Sequence, residues 1–179
     1  FLIPRTLFAI KGELTMLKKN LVHGCIGAAL LAAAGTAGAS YISESEPNNS
    51  IGTAQNVDAF FSLDADADIT NATTDPHVSI RGNGNNETGA ASSRDFFSFT
   101  VSQNNTAVLF DIDYGMNDLD SWLNLYLSDS TPIGSHDDGG VLDSGTIHVF
   151  DSYWSPVLAA GSYVVSVCRF LDGDLMQGQ

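Results

Sequence analysis

Three oxygen-bearing side chains stand at every second position in Glu44-Ser45-Glu46-Pro47-Asn48. Residues two apart in extended chain face the same side, about 7 Å from one another. Pro47 biases the residue before it, Glu46, towards that extended backbone. Glu44, Glu46 and Asn48 therefore present two carboxylates and an amide along one edge. Ca²⁺ takes about six to eight oxygens of these kinds, so the edge suits part of a calcium site and other loops must complete it. The same residues on a solvated arm would do nothing, and spacing alone leaves both readings open. Asp95 is a second candidate. It stands at the mouth of Phe96-Phe97-Ser98-Phe99, where a strand would hold a ligand rigidly; the alternative is an Asp that closes a turn beside Arg94.

The elements that must carry these residues are strands. Phe97, Phe99 and Val101 alternate with Ser98 and Thr100. Val108, Phe110, Ile112 and Tyr114 alternate with Leu109, Asp111 and Asp113. Leu123, Leu125 and Leu127 follow the same period, as do Tyr163, Val165 and Val167. Period two gives each segment one apolar face, and two sheets can close over such faces. Further strands are expected at His77 to Arg81, Thr146 to Phe150 and, more weakly, Ala59 to Leu63, with a helical turn around Ser50 to Asn56. Between them lie loops rich in Asp, Asn, Gly and Ser. The expected fold is all-β, an antiparallel β-sandwich or jelly roll.

Domain limits come from the N-terminal pattern. Lys18 and Lys19 follow Met16, an Ala-rich apolar run spans about Cys25 to Ala34, and Ala37-Gly38-Ala39 supplies small residues. This is the three-part secretory signal, and its apolar run is too short to span a bilayer. The reading is a signal peptide over 16–39, a mis-called start over 1–15, and one domain over 40–179. The terminal Gly178-Gln179 reads as a truncation, with any sorting signal lying beyond it. Localisation is then secreted or at the cell surface, as a monomer, with no membrane insertion after cleavage.

Charge excludes some partners. The whole chain carries seven Lys and Arg against 21 Asp and Glu. Removing residues 1–39 leaves Arg81, Arg94 and Arg169 against twenty carboxylates, a net charge of −17. Nucleic acid and anionic membranes require basic patches, and this surface repels both. Cys168 would be the one remaining cysteine, so no internal disulfide staples the domain.

Catalytic patterns are weak. His77, His136 and His148 lack close metal-site spacing, and no G-x-S-x-G elbow occurs. Asp64-Ala65-Asp66-Ala67-Asp68 opens like an EF-hand loop, but Ile69 occupies the sixth place, where glycine makes the turn. Trp122 and Trp154 suit either a sugar-stacking platform or the core. The chain is read as no enzyme.

The E-x-E-P-N-N opening, the strand end Ile80-Arg81-Gly82 and then Ser93-Arg94-Asp95-Phe96-Phe97-Ser98-Phe99 resemble the bacterial pre-peptidase C-terminal (PPC) domain family. That family includes the collagen-binding domains of clostridial collagenases. Asp120-Ser121-Trp122-Leu123, His136-Asp137-Asp138-Gly139 and Ala160-Gly161-Ser162-Tyr163 follow in the same order, so the likeness covers roughly Glu44 to Phe170. Pro76-His77-Val78 is also similar to secreted bacterial proteins that end in a PEP-CTERM sorting signal. The resemblance implies a jelly roll with Ca²⁺ between the N-terminal arm and the loop before the aromatic strand. It implies Glu44, Glu46 and Asn48 as arm ligands, Asp95 as the strand-edge ligand and Asn83, after Gly82, as a further oxygen donor. Ser92 stands where the family can place another acidic ligand, which implies weaker binding. The functional expectation is an exported, non-catalytic accessory or structural module stabilised by calcium. The alternative is an adhesion module for extracellular polysaccharide or matrix protein, although only Phe170 keeps aromatic character where the collagenase modules use it.

Overall fold

Alternation in the sequence becomes burial in the molecule. The computed structural model describes residues 6–12 (as backbone), 41–82, 94–113, 120–139, 146 and 149–170. Its strands are β1 (Thr6–Gly12), β2 (Tyr41–Ser43), β3 (Gln55–Asn56), β4 (His77–Gly82), β5 (Asp95–Val101) and β6 (Thr106–Asp113). They continue with β7 (Ser121–Leu127), β8 (Pro132–His136), β9 (Tyr153–Trp154), β10 (Val157–Leu158) and β11 (Gly161–Arg169). One sheet runs β10-β6-β1-β4-β2, with β9 also paired to β6; the other runs β3-β5-β11-β7-β8.

The core lies between these sheets. Val78 and Ile80 of β4 and Val108, Phe110 and Ile112 of β6 meet Phe97, Phe99 and Val101 of β5, Leu123 and Leu125 of β7, and Tyr163 and Val165 of β11. Each comes from the alternating positions, as a face-to-face sandwich requires. Phe99 packs edge-on to Phe110 and stacked on Tyr163, both at 5.7 Å between ring centroids. The outer face of the second sheet has its own small cluster of Phe96, Tyr126 and Val164, which explains why Phe96 and Phe97 are both buried. The fold is an all-β sandwich.

Several expectations need amendment. Two pairings are parallel, β2 with β4 and β3 with β5, so the sandwich is not wholly antiparallel. The helical turn is a single 3-10 turn at Ile51–Thr53. Ala59 to Leu63 is no strand: Asp58–Phe60 is a 3-10 turn, and Ser62 alone bridges to His77. Val149 and Phe150 are exposed turn residues, about half accessible, so the expected strand does not include them; Tyr153–Trp154 pairs with β6. The apolar character of Val149 and Phe150 had no buried face to serve.

Residues Thr6–Gly12, set aside above as preceding the start, form β1 in the interior of the first sheet, antiparallel to β4 on one side and to β6 on the other. The expected leader over 16–39 and the candidate ligand Asn83 lie outside the described residues. No helix among the described residues is long and apolar enough to cross a membrane.

Candidate metal centre

The arm carrying Glu44, Glu46 and Asn48 is fixed at both ends. Upstream, β2 pairs in parallel with β4, matching Tyr41 to Ser79 and Ser43 to Arg81, and Ile42 packs against the main core. The Glu44 amide then donates to the Arg81 carbonyl at 2.9 Å. Downstream, the Asn48 carbonyl accepts the Phe96 amide at 2.9 Å. Midway, the Ser45 amide donates to Gln55 Oε1 at 2.8 Å, while Gln55 Nε2 reaches back to the Ser43 carbonyl at 3.2 Å. The arm therefore crosses from the edge of one sheet to the edge of the other. It is bent rather than extended past Ser43, with a cis Glu46–Pro47 bond, and still brings its three oxygen donors together.

Asp95 opens β5 beside them. One carboxylate oxygen each from Glu44, Glu46 and Asp95 lie within 4.8 Å of one another. Asn48 is wholly buried; its Nδ2 donates to Glu44 Oε1 at 3.1 Å and its amide to Glu46 Oε2 at 2.9 Å. That orientation leaves Asn48 Oδ1 buried with no donor, and Asp95 Oδ1 is equally buried and unserved. A buried oxygen without a donor costs about 1–3 kcal/mol. Gly82 makes room: a Cβ there would stand 3.0 Å from Glu44 Oε2.

Ionising all three carboxylates in so small a space is unfavourable. Burial first, then the charge and hydrogen bond of Glu44, then the charge of Glu46, push the Asp95 carboxyl from 3.8 to about 8. Two things can relieve the cluster: a proton held between Asp95 and Glu44, or a cation. All the donors are hard oxygens, three carboxylates and an amide carbonyl, which is the preference of Ca²⁺ rather than of a thiolate- or imidazole-seeking metal. The residues present therefore fit the ion. Four of the five candidate ligands read from the sequence converge; the fifth, Asn83, is among those not described.

No family model matches this chain, and no curated protein matches it either. The chemistry of its centres rests on their own geometry.

A second acidic group was not joined up by sequence reasoning. Asp120, before β7, meets Asp137 and Asp138, after β8, with one carboxylate oxygen from each within 4.8 Å of the others. Burial and then Asp138 raise the Asp120 carboxyl, with Arg169 opposing; burial, Asp138 and Asp120 raise that of Asp137. A serine pair holds the area together, with the Ser152 amide on Ser121 Oγ at 2.9 Å and Ser152 Oγ on the Ser121 carbonyl at 2.7 Å. The signal was present as two separate motifs, Asp120-Ser121-Trp122 and His136-Asp137-Asp138; nothing local says that they touch.

The other chemical candidates have local contacts. Asp66, in the EF-hand-like stretch, caps its own turn through the Asp68 amide at 3.0 Å and accepts Ser79 Oγ at 2.9 Å. His77 is buried, with Nδ1 3.3 Å from the Asp75 carbonyl, and His136 stacks on Trp154. His148 lies outside the described residues. Cys168 is buried against β7, with Sγ 3.7 Å from the Trp122 carbonyl.

Proposed function

We infer that this chain is an exported, non-catalytic accessory module whose N-terminal arm is fastened across the two sheets by Ca²⁺. One observation carries the reading: Glu44, Glu46 and Asp95 converge on a point beside two buried, donorless oxygens, Asn48 Oδ1 and Asp95 Oδ1. Ca²⁺ there would offset two of the three carboxylate charges and satisfy both oxygens. It would tie β2 and β4 to β5, the cross-sheet role that a disulfide fills in other secreted domains. Export rests on the leader-like pattern after Met16, and membership of the PPC family rests on the ordered motifs from Glu44 to Phe170.

The test is a thermal melt in EDTA and across a Ca²⁺ titration. The melting temperature should rise with the logarithm of Ca²⁺ concentration above Kd, by mass action about 2.7 kcal/mol at a hundredfold excess. Mg²⁺, which demands tighter octahedral geometry, should not reproduce it. A melt indifferent to Ca²⁺ would remove the metal and leave the sandwich.

A second reading, adhesion, draws on the half-buried ring pair of Trp122 and Phe170, 5.2 Å apart at the ends of β7 and β11. Retention on insoluble polysaccharide or collagen, lost on substituting Trp122, would favour it. Material that washes through with or without chelator would rule it out.

A further inference from the structure

The loop that carries the arm's donors is closed by a side chain. Glu44, Glu46 and Asn48 all lie between Ser43 and Gln55, and Gln55 bonds back to both neighbours of Glu44. Its Nε2 donates to the Ser43 carbonyl at 3.2 Å, and its Oε1 accepts the Ser45 amide at 2.8 Å. The Glu44 amide bonds elsewhere, to the Arg81 carbonyl at 2.9 Å. β2 is the edge strand of the first sheet, so the Gln55 side-chain amide takes the place that a further strand would hold.

The backbone of Gln55 belongs to the other sheet. β3 pairs in parallel with β5, matching Gln55 to Phe97, two residues beyond Asp95. Just upstream, Ile51 and Ala54 pack on the outer cluster of Phe96, Tyr126 and Val164. Just downstream, Val57 is wholly buried, and its amide donates to the Ser98 carbonyl at 3.0 Å. Gln55 thus has its backbone fixed beside the strand of Asp95 and its side chain on the peptide groups flanking Glu44.

That tie opposes a definite force. Ionised Glu44, Glu46 and Asp95 repel one another, which drives the arm away from β5. An uncharged amide that both donates and accepts resists the separation without adding a charge. A Lys in its place would set a competing cation beside the centre, and a Glu would add repulsion. We propose that Gln55 is the positioning residue of this centre: it sets Glu44 against Asp95 before the ion arrives, so that Ca²⁺ affinity depends on a side chain outside the ligand set. The inference rests on the Ca²⁺ reading above. Removing a partner that orients a metal ligand typically weakens binding by about 10- to 100-fold, because the ion must then order that ligand itself.

The experiment is calorimetric titration of Ca²⁺ into the full chain and into Gln55→Met, well below the melting temperature. Met keeps the length of Gln and removes both hydrogen bonds. Affinity should fall by about 10- to 100-fold with unchanged stoichiometry. Gln55→Asn, an amide one methylene shorter, should not restore it. Leu158→Ala is the control for stability alone: Leu158 is buried in the main core on β10, at the opposite edge of the first sheet from β2. Its Ca²⁺ affinity should match the parent's. In EDTA the Ser45 amide should exchange slowly in the parent and about tenfold faster or more in Gln55→Met. A parent that takes up no Ca²⁺ overturns the calcium reading and the proposal with it. The proposal alone falls if the parent binds and Gln55→Met binds equally well, if Leu158→Ala weakens binding as much, or if the parent's Ser45 amide exchanges freely.

Discussion

Asp95 and Glu44 bring a carboxylate oxygen each within 4.8 Å of one another where the arm meets β5, and burial first, then Glu44, pushes the Asp95 carboxyl up to about 8. Glu44 is tied to β4 through the Arg81 carbonyl, and Asp95 begins β5. The proton and a Ca²⁺ ion would do the same electrostatic work at one place, and they compete for it.

Substituting Asp95→Asn should separate the two effects. The neutral amide removes the repulsion against Glu44 and Glu46, so the variant in EDTA should melt higher than the parent at pH about 8, where the parent must begin to ionise. It should also lose most of its response to Ca²⁺. Calorimetry with and without the ion checks both. A lower melt in EDTA combined with an intact Ca²⁺ response would contradict the account.

The pH dependence has a definite sign. The Asp95 carboxyl is raised from 3.8 to about 8, so the folded chain holds a proton that the unfolded chain has released. Its contribution to stability is full below pH about 4 and is lost as pH climbs through about 8. In EDTA the parent should therefore lose stability relative to Asp95→Asn over that window. Apparent Ca²⁺ affinity should run the other way, strengthening as pH rises, because the ion no longer displaces a proton. Titration calorimetry at several pH values reads the released proton directly.

Phe110→Ala should cost about 3–5 kcal/mol in urea unfolding. Phe110 is wholly buried between the sheets, against Phe99 and, at 6.0 Å, Trp154. The loss should be the same with and without Ca²⁺, since the ring's partners Phe99 and Trp154 are not among the acidic residues of the centre. A cost that depends on the ion would mean that core and centre are coupled.

Gly139→Ala should destabilise by about 1–3 kcal/mol. A Cβ there would lie 2.8 Å from the Asp151 carbonyl oxygen and from the Tyr153 amide nitrogen, both backbone atoms that cannot step aside. The Gly139 amide donates to that same Asp151 carbonyl at 2.9 Å, and Asp138 bridges Ser152 next to it. Amide exchange should show the loosening confined to this edge, leaving β5 and β11 protected.

Much of the sandwich was legible because its cause is local. Period-two alternation fixed the inward faces of β5, β6, β7 and β11, since a side chain's face in a strand depends only on its parity. The candidate donors on the arm were legible for a different local reason: Glu44, Glu46 and Asn48 lie within five residues, which keeps them close although the arm is bent rather than extended past Ser43. Apolar composition without alternation misled at Val149 and Phe150, which the fold leaves exposed.

What the sequence by itself determined was therefore the strand class, the buried faces and three oxygen donors on one short arm. The tertiary structure decided which strands are neighbours, and hence everything that depends on two distant segments meeting. It put Asp95 against Glu44, joined Asp120 to Asp137 and Asp138, set β2 parallel to β4, and gave Thr6–Gly12 a place between β4 and β6. Strand order follows from the whole set of faces and backbone hydrogen bonds being satisfied at once, and no window of sequence contains that condition.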